Sequence, residues 1–362
     1  MIIRRKTRQV KVGDLLVGGD AAISVQSMTT TKTHDLKATL KEVDRLEEAG
    51  CQIIRITVPD QKAADALYNI KKHMTVPLVA DIHFNYRMAL EAVDAGADKI
   101  RINPGNIGGK KRVKEVLEKV KGANLPIRIG VNAGSLEKDL IEKYGYPTPE
   151  AMVESAIRHI DICKEHDFED IIVSLKASDV NLMMAAYELF SQQYDYPLHL
   201  GVTEAGPTKS GTVKSSVGIG TLLAKGIGDT IRVSLTDDPV EEVRVGFEIL
   251  KSLALASKGV TIVACPTCGR LEVDLFKIAS SLALMAQGTE PLLLSEKEII
   301  QPKVDSKDNK TIAISIHADP LKDNPSIQMR RYKISLGRRD NIKPGNILGA
   351  IANEAEISSS FI

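Results

Sequence analysis

Short apolar runs alternate with longer amphipathic segments along about the first two thirds of the chain. Each run is rich in β-branched residues and ends in polar, glycine or proline residues, which is typical of strands buried in a parallel sheet. The helical segments between them include 35–49 and 148–166, where Thr148 suits the N-cap and Pro149 the first helical position. The predicted strands are 23–29, 53–59, 77–84, 99–106, 126–135, 170–179, 197–206 and 230–239.

Eight strands separated by helices are the number required for a closed (β/α)8 barrel. The predicted fold class is therefore α/β, with a TIM barrel over residues 1–258. An open doubly wound sheet is the structural alternative. The Gly-x-Gly-x-x-Gly pattern of dinucleotide-binding folds does not follow the first predicted strand, which disfavours one common form of that alternative.

The tripeptide Ile-Arg-Ile occurs inside three of these strands, at 54–56, 100–102 and 127–129, and Ile-Arg-Val follows at 231–233. A buried cation costs several kcal/mol unless an anionic group meets it. Four arginines at the same depth of four strands predict a pocket that holds an anion. The alternative is a set of independent ion pairs with aspartate and glutamate.

Polar residues gather at the carboxyl ends of the predicted strands, where the binding face of a (β/α)8 barrel lies. Arginine forks and lysine ammonium groups suit phosphate oxygens, so five cations at one mouth predict a diphosphate rather than a single carboxylate. We expect Gln26 on the same rim, and His83 is equally consistent with a structural role. The candidate residues are Arg55, His83, Arg101, Asn103, Arg128, Asn132, Lys176, Thr203, Glu204, Arg232 and Ser234.

A Cys-x-x-Cys motif, Cys265 and Cys268, follows the apolar run 260–264. This spacing is typical of a metal-ligand or redox site. A thioredoxin-type dithiol is one interpretation, and a zinc or iron–sulfur site, which needs further ligands, is the other. Cys51 and Cys163 are predicted to be small buried apolar residues.

Composition narrows the choice of partners and compartment. With 362 residues, 43% of them hydrophobic, the chain can form one large domain and a smaller one. The net charge of +1 creates no global field that favours nucleic acid or a membrane surface. No apolar run reaches membrane-spanning length, and the N-terminus lacks a signal-peptide pattern. Four cysteines do not form a disulfide scaffold, so we expect a reducing compartment, the cytoplasm.

Residues 1 to about 285 resemble the IspG/GcpE family of bacterial 4-hydroxy-3-methylbut-2-en-1-yl diphosphate synthases. The resemblance runs nearly continuously, which makes it specific. The stretches that carry it are VQSMTTTKTHD, VPLVADIHF, RINPGNIG, PIRIGVNAGSLEKDL, VSLKASDV, PLHLGVTEAG, DTIRVSLTDDPVEEVRVGFEILKSL and ACPTCGR.

The resemblance implies a homodimer of a barrel and an iron–sulfur domain that opens 2-C-methyl-D-erythritol 2,4-cyclodiphosphate reductively, to 4-hydroxy-3-methylbut-2-enyl diphosphate, in the non-mevalonate isoprenoid pathway. Electrons would come from flavodoxin or ferredoxin. It implies that Cys265 and Cys268 are ligands of a [4Fe-4S] cluster and that they and Glu204 have catalytic roles. The implied diphosphate-binding residues are Arg55, Arg101, Arg128, Lys176 and Arg232.

The chain departs from the family pattern after about residue 286. The family has a third cysteine, in a Gly-Cys-x-x-Asn-Gly-Pro-Gly-Glu motif, whereas no cysteine follows Cys268 here. Residues 259–300 are therefore predicted to be a partial, incomplete α+β iron–sulfur domain. His317, after the apolar run 311–316, is the best local substitute for the third ligand. A catalytically impaired diphosphate-binding barrel is the alternative function.

The remaining residues, 301–362, are predicted to be a divergent linker and a truncated RRM-like tail. Residues 329–360 resemble the start of the RNA-binding domain of DEAD-box helicases of the DeaD/CsdA type. A basic segment within it, 330–339, could contact phosphates, so an RNA-contacting fusion protein is a further alternative. A basic run is more often a solvated face, and nucleic acid is therefore not the favoured partner.

Overall fold

The computed structural model describes residues 2–103 and 110–256. All of them belong to the first of the two units into which the chain divides, Met1–Ala264 and Cys265–Ile362. The predictions made for Cys265, Cys268, His317 and the tail lie outside the described residues.

The described residues form ten strands and nine helices. The strands are β1 Gln9–Val12, β2 Leu15–Gly18, β3 Ser24–Met28, β4 Ile53–Thr57, β5 Leu78–Ile82, β6 Lys99–Ile102, β7 Ile127–Asn132, β8 Ile171–Lys176, β9 His199–Leu200 and β10 Thr230–Ile231. The helices are α1 Leu36–Glu48, α2 Gln61–His73, α3 Tyr86–Asp94, α4 Lys110–Gly122, α5 Lys138–Tyr144, α6 Pro149–Glu165, α7 Val180–Gln193, α8 Thr208–Ala224 and α9 Pro239–Ser252.

The strands β3 to β10 form one parallel sheet in the order β8-β7-β6-β5-β4-β3-β10-β9. A bridge between Val173 and Leu198 joins its two edge strands, and the Val173 amide donates to the Pro197 carbonyl at 2.9 Å. The sheet is therefore a nearly closed (β/α)8 barrel, as predicted, and the open-sheet alternative is excluded.

The last two barrel strands are shorter than the sequence predicts. After β9 the chain leaves the extended conformation at Glu204, whose φ is +52°, and at Gly206, whose φ is +106°. After β10 the Leu235 amide donates to the side chain of Glu242 instead of to a neighbouring strand. Turns and a side-chain acceptor thus replace the sheet hydrogen bonds that the apolar pattern had predicted.

The Ile-Arg-Ile segments divide their side chains between two sides of the sheet, because successive side chains on a strand point in opposite directions. Ile54, Ile56, Ile100 and Ile102 belong to the large apolar core that includes the buried faces of the helices. The intervening arginines face the barrel interior, where Arg101 and Arg128 are direct neighbours on adjacent strands. The isoleucines hold each strand against its helices, and the arginines are thereby turned inward.

An antiparallel hairpin of β1 and β2 precedes the barrel and was not predicted from the sequence. Its residues Val10, Val12 and Val17 are buried in a small apolar cluster with barrel residues of the interior face. Those barrel residues are Ile53, Val79 and Ile172. The hairpin thus covers the amino-terminal end of the barrel with apolar side chains.

Two helix starts are capped by a side chain, of which the Thr148 cap was predicted. The Asp35 carboxylate accepts the Ala38 amide at the start of α1. The Thr148 hydroxyl accepts the Ala151 amide before α6, with Pro149 at its first position. The short helix α5 was not predicted. No helix among the described residues has the length and apolarity that crossing a membrane requires.

Cys51 and Cys163 are buried in the apolar core, as predicted. Burial raises the pKa of each thiol to about 12. Both residues are therefore protonated at neutral pH and act as small apolar groups.

Candidate functional site

A cavity of about 150 Å³ lies at the carboxyl ends of the barrel strands. Every strand of the barrel contributes to its wall, either directly or through the residues that follow it. Its lining residues are Met28, Arg55, Asp81, His83, Arg101, Arg128, Asn132, Ser174, Lys176, Val202, Thr203, Arg232 and Ser234.

Most of the residues predicted for the site come together in this wall, but Asn103, Glu204 and Gln26 do not line it. Asn103 is buried and donates from its side-chain amide to the Ser135 hydroxyl at 3.0 Å. Glu204 is exposed, in the left-handed backbone conformation. Gln26 is fully buried and pairs in register with Ile53, so it lies one layer below Arg55.

Met28 and Val202 line the cavity but were not predicted, and the strand-end residues Asp81 and Ser174, which were not among the candidate binding residues, line it too. Asp81 and Ser174 carried a signal, because each lies two residues from a predicted site residue on its own strand and therefore shares its face. Nothing in the sequence indicated Met28 and Val202, since an apolar residue near a strand end does not point to a polar cavity.

Asp81 is the carboxylate around which three cationic or titratable groups gather. It accepts a hydrogen bond from Arg101 Nη1 at 2.9 Å, lies 3.4 Å from Arg55 Nε, and lies 4.0 Å from His83 Nε2. Burial raises the pKa of Asp81, but the guanidiniums of Arg55 and Arg101 outweigh burial and hold that pKa well below its usual range. Burial, opposed in part by Asp81, lowers the pKa of Arg55 to about 10.

Glu242 on α9 fixes the position of Arg232 from behind the wall. Its two carboxylate oxygens accept hydrogen bonds from Arg232 Nη2 at 2.7 Å and Nε at 3.1 Å. The same carboxylate accepts the Ser27 hydroxyl at 2.8 Å and the Leu235 amide at 3.0 Å. Arg232 Nη1 donates to the Ser234 hydroxyl at 3.0 Å, so both residues are held in one orientation towards the cavity.

Arg128 and Lys176 have no such carboxylate partner in the described part of the chain. Arg128 is 1% exposed, and its Nε and Nη1 have no hydrogen-bond partner in the described part of the chain. Burial lowers the pKa of Arg128 well below its usual value, and the neighbouring guanidiniums of Arg55 and Arg101 lower it further. Burial and the nearby arginines likewise lower the pKa of Lys176. Arg128 therefore leaves uncompensated positive charge in the wall, and the charged form of Lys176 is disfavoured there unless an anion compensates it.

Two glycines make room for cations in the interior. A β-carbon at Gly130 would lie 2.6 Å from Arg101 Nε, and one at Gly201 would lie 2.7 Å from Lys176 Nζ. Real β-carbons essentially never approach other atoms so closely, so a side chain at Gly130 would displace Arg101, and one at Gly201 would also lie 2.7 Å from the backbone oxygen of Arg232. These two glycines are therefore part of the packing of the site.

His83 lies at the outer edge of the cavity. Its side chain is 39% exposed, and burial lowers its pKa, although the nearby carboxylate of Asp81 opposes that change. At neutral pH the ring is therefore mostly neutral and can donate or accept a hydrogen bond.

Both interpretations of the repeated arginines hold in part. Arg55, Arg101 and Arg232 have carboxylate partners, as the ion-pair alternative requires. Nevertheless, five cationic side chains and a single carboxylate line the cavity. The excess of positive charge in a buried wall suits a multiply charged anion, such as one with two phosphate groups.

The described residues contain no group of three or more His, Cys, Asp or Glu side chains that could hold a metal ion. Cys51 and Cys163 are buried thiols with raised pKa values, which leaves Cys265 and Cys268 as the cysteines free to ligate iron. A [4Fe-4S] cluster takes four protein ligands, or three when one iron is open. The cysteines of this chain do not complete that set.

Comparisons with known families match two parts of the chain. The GcpE TIM-barrel domain matches residues 7–247, and the DbpA RNA binding domain matches residues 331–362. The first match spans most of the described barrel, and the second lies outside the described residues.

Curated relatives are similar over most of the chain. A protein of Bacillus cereus (strain G9842) is 59% identical over 282 residues, which are 78% of this chain and 76% of the relative. One from Geobacillus thermodenitrificans (strain NG80-2) is 60% identical over 282 residues, 78% of this chain and 75% of the relative. Both are named 4-hydroxy-3-methylbut-2-en-1-yl diphosphate synthase (flavodoxin).

Among solved structures, a Plasmodium falciparum HPPK-DHPS with pterin and p-hydroxybenzoate aligns with a TM-score of 0.50 at 12% identity. The alignment covers 70% of this chain and 52% of that one. At this identity the likeness concerns the barrel fold alone.

Proposed function

Because this chain belongs to the family of 4-hydroxy-3-methylbut-2-en-1-yl diphosphate synthases, we propose that its barrel binds 2-C-methyl-D-erythritol 2,4-cyclodiphosphate for reductive ring opening. The product would be 4-hydroxy-3-methylbut-2-enyl diphosphate, an isoprenoid precursor of the non-mevalonate pathway. The observation that carries this proposal is the excess of cationic side chains over carboxylates in the wall of the cavity.

In this proposal the cations have two tasks. Arg101 and Arg232 are already oriented by Asp81 and Glu242, so they offer phosphate oxygens pre-positioned donors. Arg128 has unmet charge, and an anion would relieve the cost of burying it and would favour the ammonium form of Lys176. Asn132, Thr203 and Ser234 supply neutral polar groups to the same wall.

The printed names of the relatives include flavodoxin, and we propose flavodoxin as the electron donor of this chain, with ferredoxin as the alternative. We further propose a homodimer in the cytoplasm. Free thiols at Cys51 and Cys163 suit a reducing compartment. Glu204 keeps its proposed catalytic role, for which its exposed position beside the barrel mouth leaves it accessible.

Calorimetric titration of the full chain with cyclodiphosphate tests the proposal. We expect Arg128→Ala to weaken binding by on the order of 2–3 kcal/mol, because a charge-assisted contact is lost. Arg101→Ala should behave alike, and the two losses need not add, since both residues would contact one ligand. Arg244→Ala, which removes an exposed cation from α9, is the matched control and should leave affinity unchanged. Unchanged affinity in Arg128→Ala would refute the shared anion pocket.

A second candidate function is binding without reduction, and the cysteine content favours it. Only Cys265 and Cys268 are available as thiolate ligands, whereas the cluster needs at least three ligands. We expect anaerobic reconstitution with iron and sulfide to give substoichiometric iron and poor turnover, while cyclodiphosphate still binds. Full iron loading with normal turnover would exclude this candidate, and loss of that iron in His317→Ala would identify the substitute ligand.

The match to the DbpA RNA binding domain favours a third candidate, RNA contact through residues 331–362. Such contact would rely on phosphates and would therefore weaken steeply as salt rises. A full-chain RNA titration at low and high salt tests it. A flat salt dependence, or no binding at low salt, would remove this candidate.

A further inference from the structure

Lys176 differs from the arginines of the cavity in its bonding partner. Its Nζ lies 3.2 Å from Nε2 of His199, the first residue of β9. Arg55, Arg101 and Arg232 each have a carboxylate partner, whereas Lys176 has none within the described ranges. No carboxylate in the described part of the chain therefore stabilises Lys176 as an ammonium.

The surroundings of Lys176 favour its neutral amine. Burial lowers the pKa of Lys176 most, and the neighbouring guanidiniums add to that effect. The cations that act on it are Arg128, Arg55, Arg232 and Arg101. Burial lowers the pKa of His199 well below its usual value, so its imidazole is a neutral hydrogen-bond partner of Lys176. An amine in such a site carries a free electron pair, which makes it a nucleophile.

Access to the cavity separates Lys176 from a second buried lysine. Lys99 also has a pKa lowered by burial, but it is fully buried and does not line the cavity. Lys176 is 8% exposed, and its side chain forms part of the cavity wall. Of these two lysines, Lys176 is therefore the one that a small molecule in the cavity can meet.

We propose that Lys176 is a covalent site for small phosphorylated aldehydes, with which it forms a reversible Schiff base. The inference rests on the anion-binding part of the proposed function, because guanidiniums of the same wall, such as Arg128, would hold the phosphate. The Nζ electron pair attacks the carbonyl carbon and a carbon–nitrogen double bond forms. The carbonyl oxygen leaves as water with the two amine protons. No electrons are transferred, so no oxidant or reductant is required.

A consequence for regulation follows from the overlap of the two ligands. An aldehyde phosphate bound to Lys176 would occupy the cavity that the proposed substrate needs. Small aldehyde phosphates would therefore act as reversible covalent competitors. They would be released by hydrolysis of the carbon–nitrogen double bond, which restores the amine.

The test uses the full chain, glycolaldehyde phosphate as the probe, borohydride to fix any Schiff base, and peptide mapping by mass spectrometry. Lys214, an exposed lysine of α8, serves as the internal control. An ordinary lysine, with a pKa of about 10.4, is neutral in only about one molecule in 2500 at pH 7. We therefore expect Lys176 to be labelled at least about tenfold faster than Lys214 at neutral pH.

Three comparisons sharpen the result. Glycolaldehyde, which lacks the phosphate, should label Lys176 more slowly than glycolaldehyde phosphate does, because the arginines of the wall do not hold it. Inorganic pyrophosphate should protect Lys176 and leave labelling of Lys214 unchanged. The variant Lys176→Met, checked for folding by circular dichroism, should lose the rapidly formed adduct without a new one elsewhere.

Equal labelling of Lys176 and Lys214, or labelling that ignores the phosphate, would overturn the covalent site. Calorimetry with inorganic pyrophosphate on the same sample separates this failure from a failure of the proposed function. Pyrophosphate binding without rapid labelling refutes the Schiff base alone, whereas absence of both refutes the anion pocket on which it rests.

Discussion

At the amino-terminal end of the barrel, Ile53, Val79 and Ile172 pack against the β1–β2 hairpin in a dry apolar cluster. At the carboxyl end, the interior faces of the same strands present Arg55 and Asp81 to a polar cavity. The two ends share strands, register and the outward isoleucines that hold the helices. They differ only in which residues occupy the inward positions of each layer.

Within a single barrel strand, residues at one end therefore stabilise the fold, and residues at the other end form the binding cavity. Apolar burial stabilises the barrel at its lower end and along its outer face. The mouth instead holds basic side chains such as Arg128 and Lys176, whose charged forms cost free energy to bury in the absence of an anion. The apolar core between the sheet and the helices offsets that cost, because it is continuous around all eight strands.

The largest effect is expected from Asp81→Asn, which removes the carboxylate shared by Arg55 and Arg101. Breaking a buried pair leaves an uncompensated charge, so we expect the free energy of unfolding to fall by about 3–5 kcal/mol in urea. Asp94→Asn, which removes an exposed partner of Lys119, is the control and should change it by at most about 0.5 kcal/mol. Equal losses in the two variants would show that Asp81 has no structural role at the mouth.

The same carboxylate gives a pH dependence. The folded-state pKa of Asp81 lies below its unfolded value, so its stabilisation is complete above the unfolded pKa of about 3.9. That stabilisation is lost as the pH falls through the acid range. The stability difference between the native chain and Asp81→Asn should therefore shrink on acidification, as measured by urea unfolding at a series of pH values.

The next largest effect is expected at the lower end. Ile53→Ala leaves a cavity beneath the hairpin and should lower the free energy of unfolding by about 3 kcal/mol. Pyrophosphate affinity should not change, because Ile53 does not line the upper cavity. Ile3→Ala is the control, since that side chain is 89% exposed. A parallel loss of affinity in Ile53→Ala would contradict the separation of the two ends.

Arg128→Met tests whether the buried charge at the barrel mouth lowers the free energy of unfolding. Replacement of a buried, incompletely paired guanidinium by an apolar side chain should raise the free energy of unfolding by about 1 kcal/mol. The same change should weaken pyrophosphate binding, so stability and affinity should move in opposite directions. Urea unfolding and calorimetry on one sample measure both. A loss of stability would mean that Arg128 is better compensated than its contacts indicate.

The smallest expected effect is the uptake of protons when pyrophosphate binds. The pKa of Lys176 in the free chain lies well below its usual value, and a bound anion would favour the ammonium. Binding should therefore take up protons, and affinity should fall as the pH rises through the free-state pKa. Calorimetry in two buffers of different ionisation enthalpy measures the uptake. Subtraction of the Lys176→Met result removes the protonation of pyrophosphate itself, and identical uptake in both would exclude Lys176 as the acceptor.

The sequence alone determined the barrel and most of its mouth. The alternation of β-branched runs with amphipathic segments specified eight strands, because both periodicities are local properties of the chain. The Ile-Arg-Ile repeats specified Arg55, Arg101 and Arg128 as inward cations, since isoleucine on both sides fixes which face the arginine must take. Capping residues such as Asp35 and Thr148 fixed helix starts for the same local reason.

Only the tertiary structure decided how those cations are compensated. Glu242 binds Arg232 from a helix, and the absence of a side chain at Gly201 leaves room for Lys176. Neither contact can be predicted from the spacing of residues along the chain. The hairpin under the barrel was missed because its short strands gain their burial from the barrel itself. Glu204 and Asn103 were predicted as site residues because they follow strand ends, but neither lines the cavity. Glu204 lies in a left-handed turn, and the side chain of Asn103 donates a hydrogen bond to Ser135. Periodicity fixes the face of a residue, whereas its partners depend on which distant elements the closed barrel brings together.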